Sequence, residues 1–283
     1  MNATRHEAPC WFKYLFVVVC VIHGEMLVAS EPLGNDATEV ILIGTLHEFH
    51  DQCRDYSRTD LRDLIIGVGP AAILYEMPPT IGGLPTSIDG RIDAGYRGNE
   101  SIAVNQAADT LGVPAVPYDR DRRNERYQET RYFEREKYVF EKLLEWSSQG
   151  GDDSAAAAVG TVMGCLLETV QGAQMDIALH AGPMVVNSAA FDKLSKNTRC
   201  LVYELVPSLL AGVAMDTVVV DLAFFSDEWS TRNSIMADNI ERIAGEYSGM
   251  RIVVLCGAEH RYILRKLLQG RAGIDVREYY EVE

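Results

Sequence analysis

The first third of the chain alternates short unbroken apolar runs with stretches of helical spacing. Thr38 to Gly44 contains Val40-Ile41-Leu42-Ile43 and reads as a strand covered on both faces. Arg58 to Gly67 sets Leu61, Leu64 and Ile65 on one helical face. Ala71 to Tyr75 is a second apolar strand, stopped by Glu76-Met77-Pro78-Pro79. Thr80 to Arg97, rich in Gly, Pro, Asp and Ser, reads as a loop. Asn99 to Leu111 keeps Ile102, Ala103, Gln106, Ala107 and Leu111 in helical phase, and Gly112 ends it. Pro114 to Tyr118 is a short third strand that ends at Asp119. Strands separated by single helices predict an α/β fold with a mostly parallel central sheet flanked by helices.

The middle of the chain changes pattern. Asp121 to Ser147 is charged and helical, and Gly150-Gly151-Asp152-Asp153 breaks it. Ala155 to Gln171 reads as a helix rich in small residues, Gly182-Pro183 breaks the chain again, and Ser188 to Leu194 is helical. The segment of about 121–216 is therefore a helical insertion in a single α/β domain spanning 31–283. Thr217 to Leu222 has strand propensity but also suits a long helix, and both readings stay open. Ser226 reads as the cap of a helix running to about Tyr247. Arg251 to Cys256 is a strand, Glu259 to Gln269 a helix, and Ile274 to Tyr280 alternates like an edge strand.

Two strand ends rhyme. Gly44-Thr45-Leu46-His47 and Gly257-Ala258-Glu259-His260 each follow an apolar strand and carry a histidine three residues past a glycine. Glycine at a strand end permits a sharp turn or a close approach. In open α/β sheets ligands sit at the carboxyl ends of the strands. With parallel strands, His47, Glu76 and His260 share one rim, and Asp119 joins them. Two imidazoles and a carboxylate suffice for a divalent metal, and they also suffice for metal-free acid–base work. Glu48, His50 and Glu259 lie beside these histidines as supporting candidates. Arg232 falls inside the apolar stripe Trp229, Met236, Ile240 and Ile243, where a guanidinium needs a carboxylate, a phosphate or a developing oxyanion. Asn233, next to it, adds donor and acceptor capacity.

Composition narrows the setting. A net charge of −15 over 283 residues repels nucleic acid and anionic membrane. Arg5 and Lys13 precede Tyr14 to Ile22, an apolar stretch too short for a comfortable membrane span. With Val28-Ala29-Ser30 behind it, the pattern matches a cleavable signal peptide over residues 1–30 and a secreted or periplasmic protein with no membrane span in the mature chain. Cys10 and Cys20 leave with the signal; Cys53, Cys165, Cys200 and Cys256 remain, without CxxC spacing. Cys256 reads as core packing, and a Cys165–Cys200 bridge stays open. There is no GxSxG, HExxH, Walker loop or CxxCH haem attachment motif.

Taken together, the paired Gly-x-x-His motifs (Gly44, His47; Gly257, His260), Glu76 after the second strand, and Arg232-Asn233 resemble the TraB/Tiki/GumN family. That family belongs to a wider superfamily with the erythromycin esterases and the ChaN-type haem-binding lipoproteins. Asn99 to Asp119, with Glu100, Asn105 and Pro114, is similar to an uncharacterised bacterial branch. The likeness covers both ends of the mature chain and thins from Asp121 to Asp221. It implies an α/β core and, as in Tiki-like members, metal-dependent peptide hydrolysis through the two histidines and the glutamate.

The expectation is an exported metal-dependent hydrolase of peptide or amide bonds in a peptide or small-molecule substrate. His47, Glu76 and His260 hold Mn, Co or Zn, whose bound water is the nucleophile, and Arg232 stabilises the oxyanion. Glu48 or Glu259 carries protons. Two alternatives stand beside it: a metal-free esterase with His47 as base and Glu76 as its orienter, and a non-catalytic protein that binds haem or another small ligand.

Overall fold

Five parallel strands form the centre of the computed structural model, in the order β3-β2-β4-β1-β5. They are β1 Thr38–Thr45, β2 Ala72–Tyr75, β3 Ala115–Pro117, β4 Arg251–Gly257 and β5 Ile274–Arg277. The structure describes residues 36–80, 99–149, 161–162, 169–170, 172–211 and 216–282, all within the unit Leu33–Glu283. The stretch read from sequence as a signal peptide, most of the loop expected after Thr80, Cys165 and nearly all of the helix expected over Ala155 to Gln171 lie outside the described residues.

Both faces of the sheet are covered, which is why the strands read as unbroken apolar runs. Side chains alternate between faces along each strand. Ile41, Ile43, Ile73, Val253 and Leu255 point to one face, against α1 (Arg58–Val68) and α2 (Asn99–Leu111). Val40, Leu42, Leu74, Ile252 and Val254 point to the other, against α9 (Asp216–Ala244) and α10 (Ala258–Leu268). Among the described residues between β3 and α9 the elements are helices: α3 (Arg123–Glu129), α4 (Tyr132–Gln149), α5 (Gly172–His180), α6 (Pro183–Val186), α7 (Ala189–Cys200) and α8 (Val206–Leu210). Ser188 caps α7, accepting from the Phe191 N–H.

Three boundaries differ from the sequence expectation. Thr217 to Leu222 lies inside α9, a 29-residue helix, so Ser226 is an interior residue and not a cap. The reason is tertiary: Val218, Leu222 and Phe225 follow helical spacing and bury against Val139 and Leu143 of α4 and Val202, Val206 and Leu210. The charged stretch after Asp121 is two helices, split where Arg131 adopts φ +54. The last strand ends at Arg277, because Glu278 turns inward to Arg261 and Arg265 and the chain enters a short 3-10 turn, Tyr279–Glu281.

The strand order decides where a ligand can sit. From β1 the chain moves over β4 to β2; from β4 it moves over β1 to β5. Neighbouring strands that send the chain opposite ways leave a crevice at their carboxyl ends. Both Gly-x-x-His motifs open into that crevice. Their strands run in register, with Gly44 opposite Cys256 and Thr45 opposite Gly257.

Candidate active site

The two rhyming motifs interlock. A side chain at Gly257 would put its Cβ 2.5 Å from His47 Nε2, and one at Gly44 would meet Ala258 Cα at 3.1 Å. Each glycine thus makes room for the other motif. Asn187 holds the first turn from the insertion side, accepting the Gly44 N–H at 2.6 Å.

His47 begins a 3-10 turn, His47–Asp51, with a left-handed backbone at φ +49. A non-glycine residue there carries about 1–3 kcal/mol of strain, a cost that persists where surrounding contacts enforce it. Here Nδ1 donates to Glu100 Oε2 at 2.9 Å, and the same oxygen accepts Thr45 Oγ1 at 2.7 Å. Nε2 is left beside Gly257 in the cleft, and 42% of the side chain is accessible. Burial of the ring opposes its charge, but Glu100, Glu76 and Glu259 outweigh that and raise the pKa to about 10.

Around Arg232 lies the second half of the site. Its Nε and Nη2 grip Asp119 at 3.0 and 2.8 Å, Nη2 also donates to Glu76 Oε1 at 2.5 Å, and Nη1 donates to His260 Nε2 at 3.2 Å. The inward arginine of the helical stripe has found carboxylates at the ends of β2 and β3. Glu76 Oε2 accepts the N–H of Gly257, the residue that precedes α10, at 2.7 Å. Burial pushes the Glu76 pKa up, but Arg232, His47 and this amide prevail and hold it below the usual range. Asp119 is wholly buried and also accepts from Arg123 at 2.6 Å and the Arg120 N–H at 2.7 Å.

His260 is fixed on three sides. A guanidinium only donates, so Nε2 is an acceptor and the proton sits on Nδ1, which donates to Asn233 Oδ1 at 2.7 Å. Trp229 stacks on the ring at 4.1 Å between centroids, with planes 17° apart. Burial first, and Arg232 second, hold the pKa well below its ordinary value, so this imidazole is neutral. Arg199, from α7, lies 3.9 Å over Trp229 and bonds Glu259, tying the insertion to the site.

The expected rim therefore exists, with a different division of labour. Glu76, Asp119, Arg232, Asn233 and His260 form one hydrogen-bonded cluster, and Glu76 lies 3.7 Å from His260. His47 stands on the other side of Gly257, oriented by Glu100 and not by Glu76. Glu100 entered the sequence reading only through the family resemblance, because an acid in a helix's first turn is too common to mark a site. His50 belongs to the scaffold: Nε2 accepts the Leu46 N–H at 2.9 Å and Nδ1 donates to the Tyr56 carbonyl at 2.7 Å. The side chain of Glu48 lies outside the described residues. Cys53, Cys200 and Cys256 are free thiols, and Cys256 is buried in the sheet as expected.

As arranged, the one lone pair of His260 Nε2 accepts from Arg232, and Glu76 Oε1 and Oε2 each accept one hydrogen bond, from Arg232 and Gly257. A cation bound to His260 would first have to displace the guanidinium. Among the described residues no three His, Cys, Asp or Glu side chains are placed to hold a metal ion. Nor does any described helix have the length and apolarity to cross a membrane.

The cleft above these groups has a volume of about 1090 Å³. Strand ends supply its floor, through His47, Glu76 and Glu259. The insertion and α9 supply its walls, through Tyr127, Arg199, Trp229 and neighbours. Compared with models of known protein families, with curated proteins and with solved structures, the chain matches none.

Proposed function

We propose that this protein is a metal-independent hydrolase of ester or amide bonds, with His47 as general base. One observation carries the reading: an imidazole at a strand end that lines a large cleft, its Nδ1 held by a buried carboxylate and its Nε2 left without a hydrogen-bond partner beside Gly257 among the described residues. A base fixed by a carboxylate keeps one tautomer and one orientation, which is what proton transfer to a single nitrogen requires. In this mechanism Nε2 takes a proton from water as the water attacks the carbonyl carbon. The imidazolium then returns the proton to the leaving group as the carbon–heteroatom bond breaks. Glu100 stabilises the imidazolium between the two steps.

Arg232 supplies the fixed positive charge toward the developing oxyanion. Two carboxylates hold it rigidly, and its second Nη1 hydrogen has no protein acceptor among the described residues. Three surrounding carboxylates make His47 a strong base that is scarce at neutral pH, so turnover should rise with pH toward about 10. The N-terminal pattern supports a place outside the cytoplasm, checked by sequencing the mature amino terminus.

The test is a panel of small carboxylic esters and acyl amides, assayed with and without strong chelator. Turnover should survive chelation and fall by at least ~100-fold in His47→Gln. Loss on chelation, restored by Mn, Co or Zn, returns the assignment to the metal-dependent alternative. An unaffected His47→Gln removes the reading altogether.

A further inference from the structure

The walls of the cleft carry a recognition element that proton transfer does not use. At the corner between α3 and α4 three aromatic rings cluster. Tyr127 and Tyr132 have centroids 4.6 Å apart, and Phe133 meets each of them edge-on at 5.4 Å. All three line the cleft, and Phe133 is 64% exposed. A phenyl ring so exposed in a cleft offers its π face to whatever enters.

Charge decides what that is. Every arginine lining the cleft is already paired with a carboxylate, as Arg126 is with Glu228 and Arg199 with Glu259. An anionic ligand would therefore meet charges that are already balanced. Glu136 is the exception among the acids of the lining: no hydrogen bond or ion pair reaches it among the described residues, and Arg199 acts on it only at longer range. It stands one helical turn from Phe133 and Tyr132, on the same side of α4. Half-buried without a partner, its carboxyl is pushed above the usual range, and an arriving cation would relieve that cost.

We infer that this wall binds an organic cation, an ammonium or guanidinium group, against the rings of Tyr127, Tyr132 and Phe133 with Glu136 as counter-ion. Electron-rich ring faces and an unpaired carboxylate are the usual means of holding such a group. Resting on the hydrolase reading, the inference names the substrate class: an ester or amide whose chain carries a positive charge some distance from the scissile carbonyl. Arg199 does not repel the ligand from this wall, because Glu259 neutralises it and Trp229 stacks on it.

The test uses a probe with no scissile bond. Choline is titrated into the full chain by ligand-observed NMR beside its uncharged isostere, the dimethylbutanol in which carbon replaces nitrogen. Choline should bind at least ~10-fold more tightly than the isostere. Glu136→Gln should erase that preference, and Phe133→Ala should weaken choline several-fold while circular dichroism stays unchanged. His47→Gln should leave choline binding intact, so the outcome is independent of the hydrolysis assays. Equal affinity for the two probes, no binding of either, or a preference that survives Glu136→Gln overturns the inference.

Discussion

At the scale of single residues, the two motif glycines have different liabilities. The atom nearest a Cβ at Gly257 is the tip of the His47 ring, which can swing away. The Gly257→Ala variant should therefore melt within a few degrees of wild type. On the proposed mechanism its kcat/KM should fall ~100-fold, since a displaced base costs that much. The atom nearest a Cβ at Gly44 is backbone, Ala258 Cα at 3.1 Å, which cannot give cheaply. Gly44→Ala should lose about 1–3 kcal/mol in denaturant titration. Glu100 is the other sensitive residue. Because it raises the His47 pKa, Glu100→Gln should move the rising limb of the pH–rate profile, and the His47 titration seen by NMR, to lower pH. The linked stability follows the usual sign for a raised histidine. It is full below the ordinary value of 6.5 and is lost as pH rises toward about 10.

Among the elements, α9 is the one that joins fold to site. Its apolar side chains Met236, Ile240 and Ile243 bury against the sheet, while Trp229, Arg232 and Asn233 reach the strand ends. Arg232→Met would leave the buried Glu76 without its arginine, while Asp119 keeps only the Arg123 guanidinium. The expected cost is about 3–5 kcal/mol, read by chemical denaturation. Ser226 tests the helix boundary itself. As an interior residue its replacement by Ala should change stability by less than ~0.5 kcal/mol, where loss of a true cap would cost about 1 kcal/mol.

For the whole molecule, the parallel order β3-β2-β4-β1-β5 brings segments more than two hundred residues apart to one rim. Acid should act first on the ion pairs gathered there. Arg126 above all lowers the pKa of Glu228; Glu76 and Glu259 are lowered by Arg232 and Arg199 against the opposing effect of burial. A depressed folded-state pKa means stability that is present above the ordinary carboxylate value of 4.5 and lost as pH falls through the depressed ones. Melting temperature should accordingly drop below about pH 4.5, and the drop should be shallower in Glu228→Gln, which has one such group fewer.

The amino-acid order by itself determined the α/β class, the buried strands with their rim of His47, Glu76 and His260, and an inward arginine in need of carboxylates. These are consequences of periodicity and of the cost of burying charge, both local properties of a sequence. Only the tertiary structure decided which lone pair meets which donor. Strand register placed Gly257 between His47 and Glu76, packing against α4 drew Thr217 to Leu222 into a helix, and Glu100 rather than Glu76 met the His47 ring. Pairings of that kind depend on separations of tenths of an ångström between distant segments. No spacing along a chain encodes them.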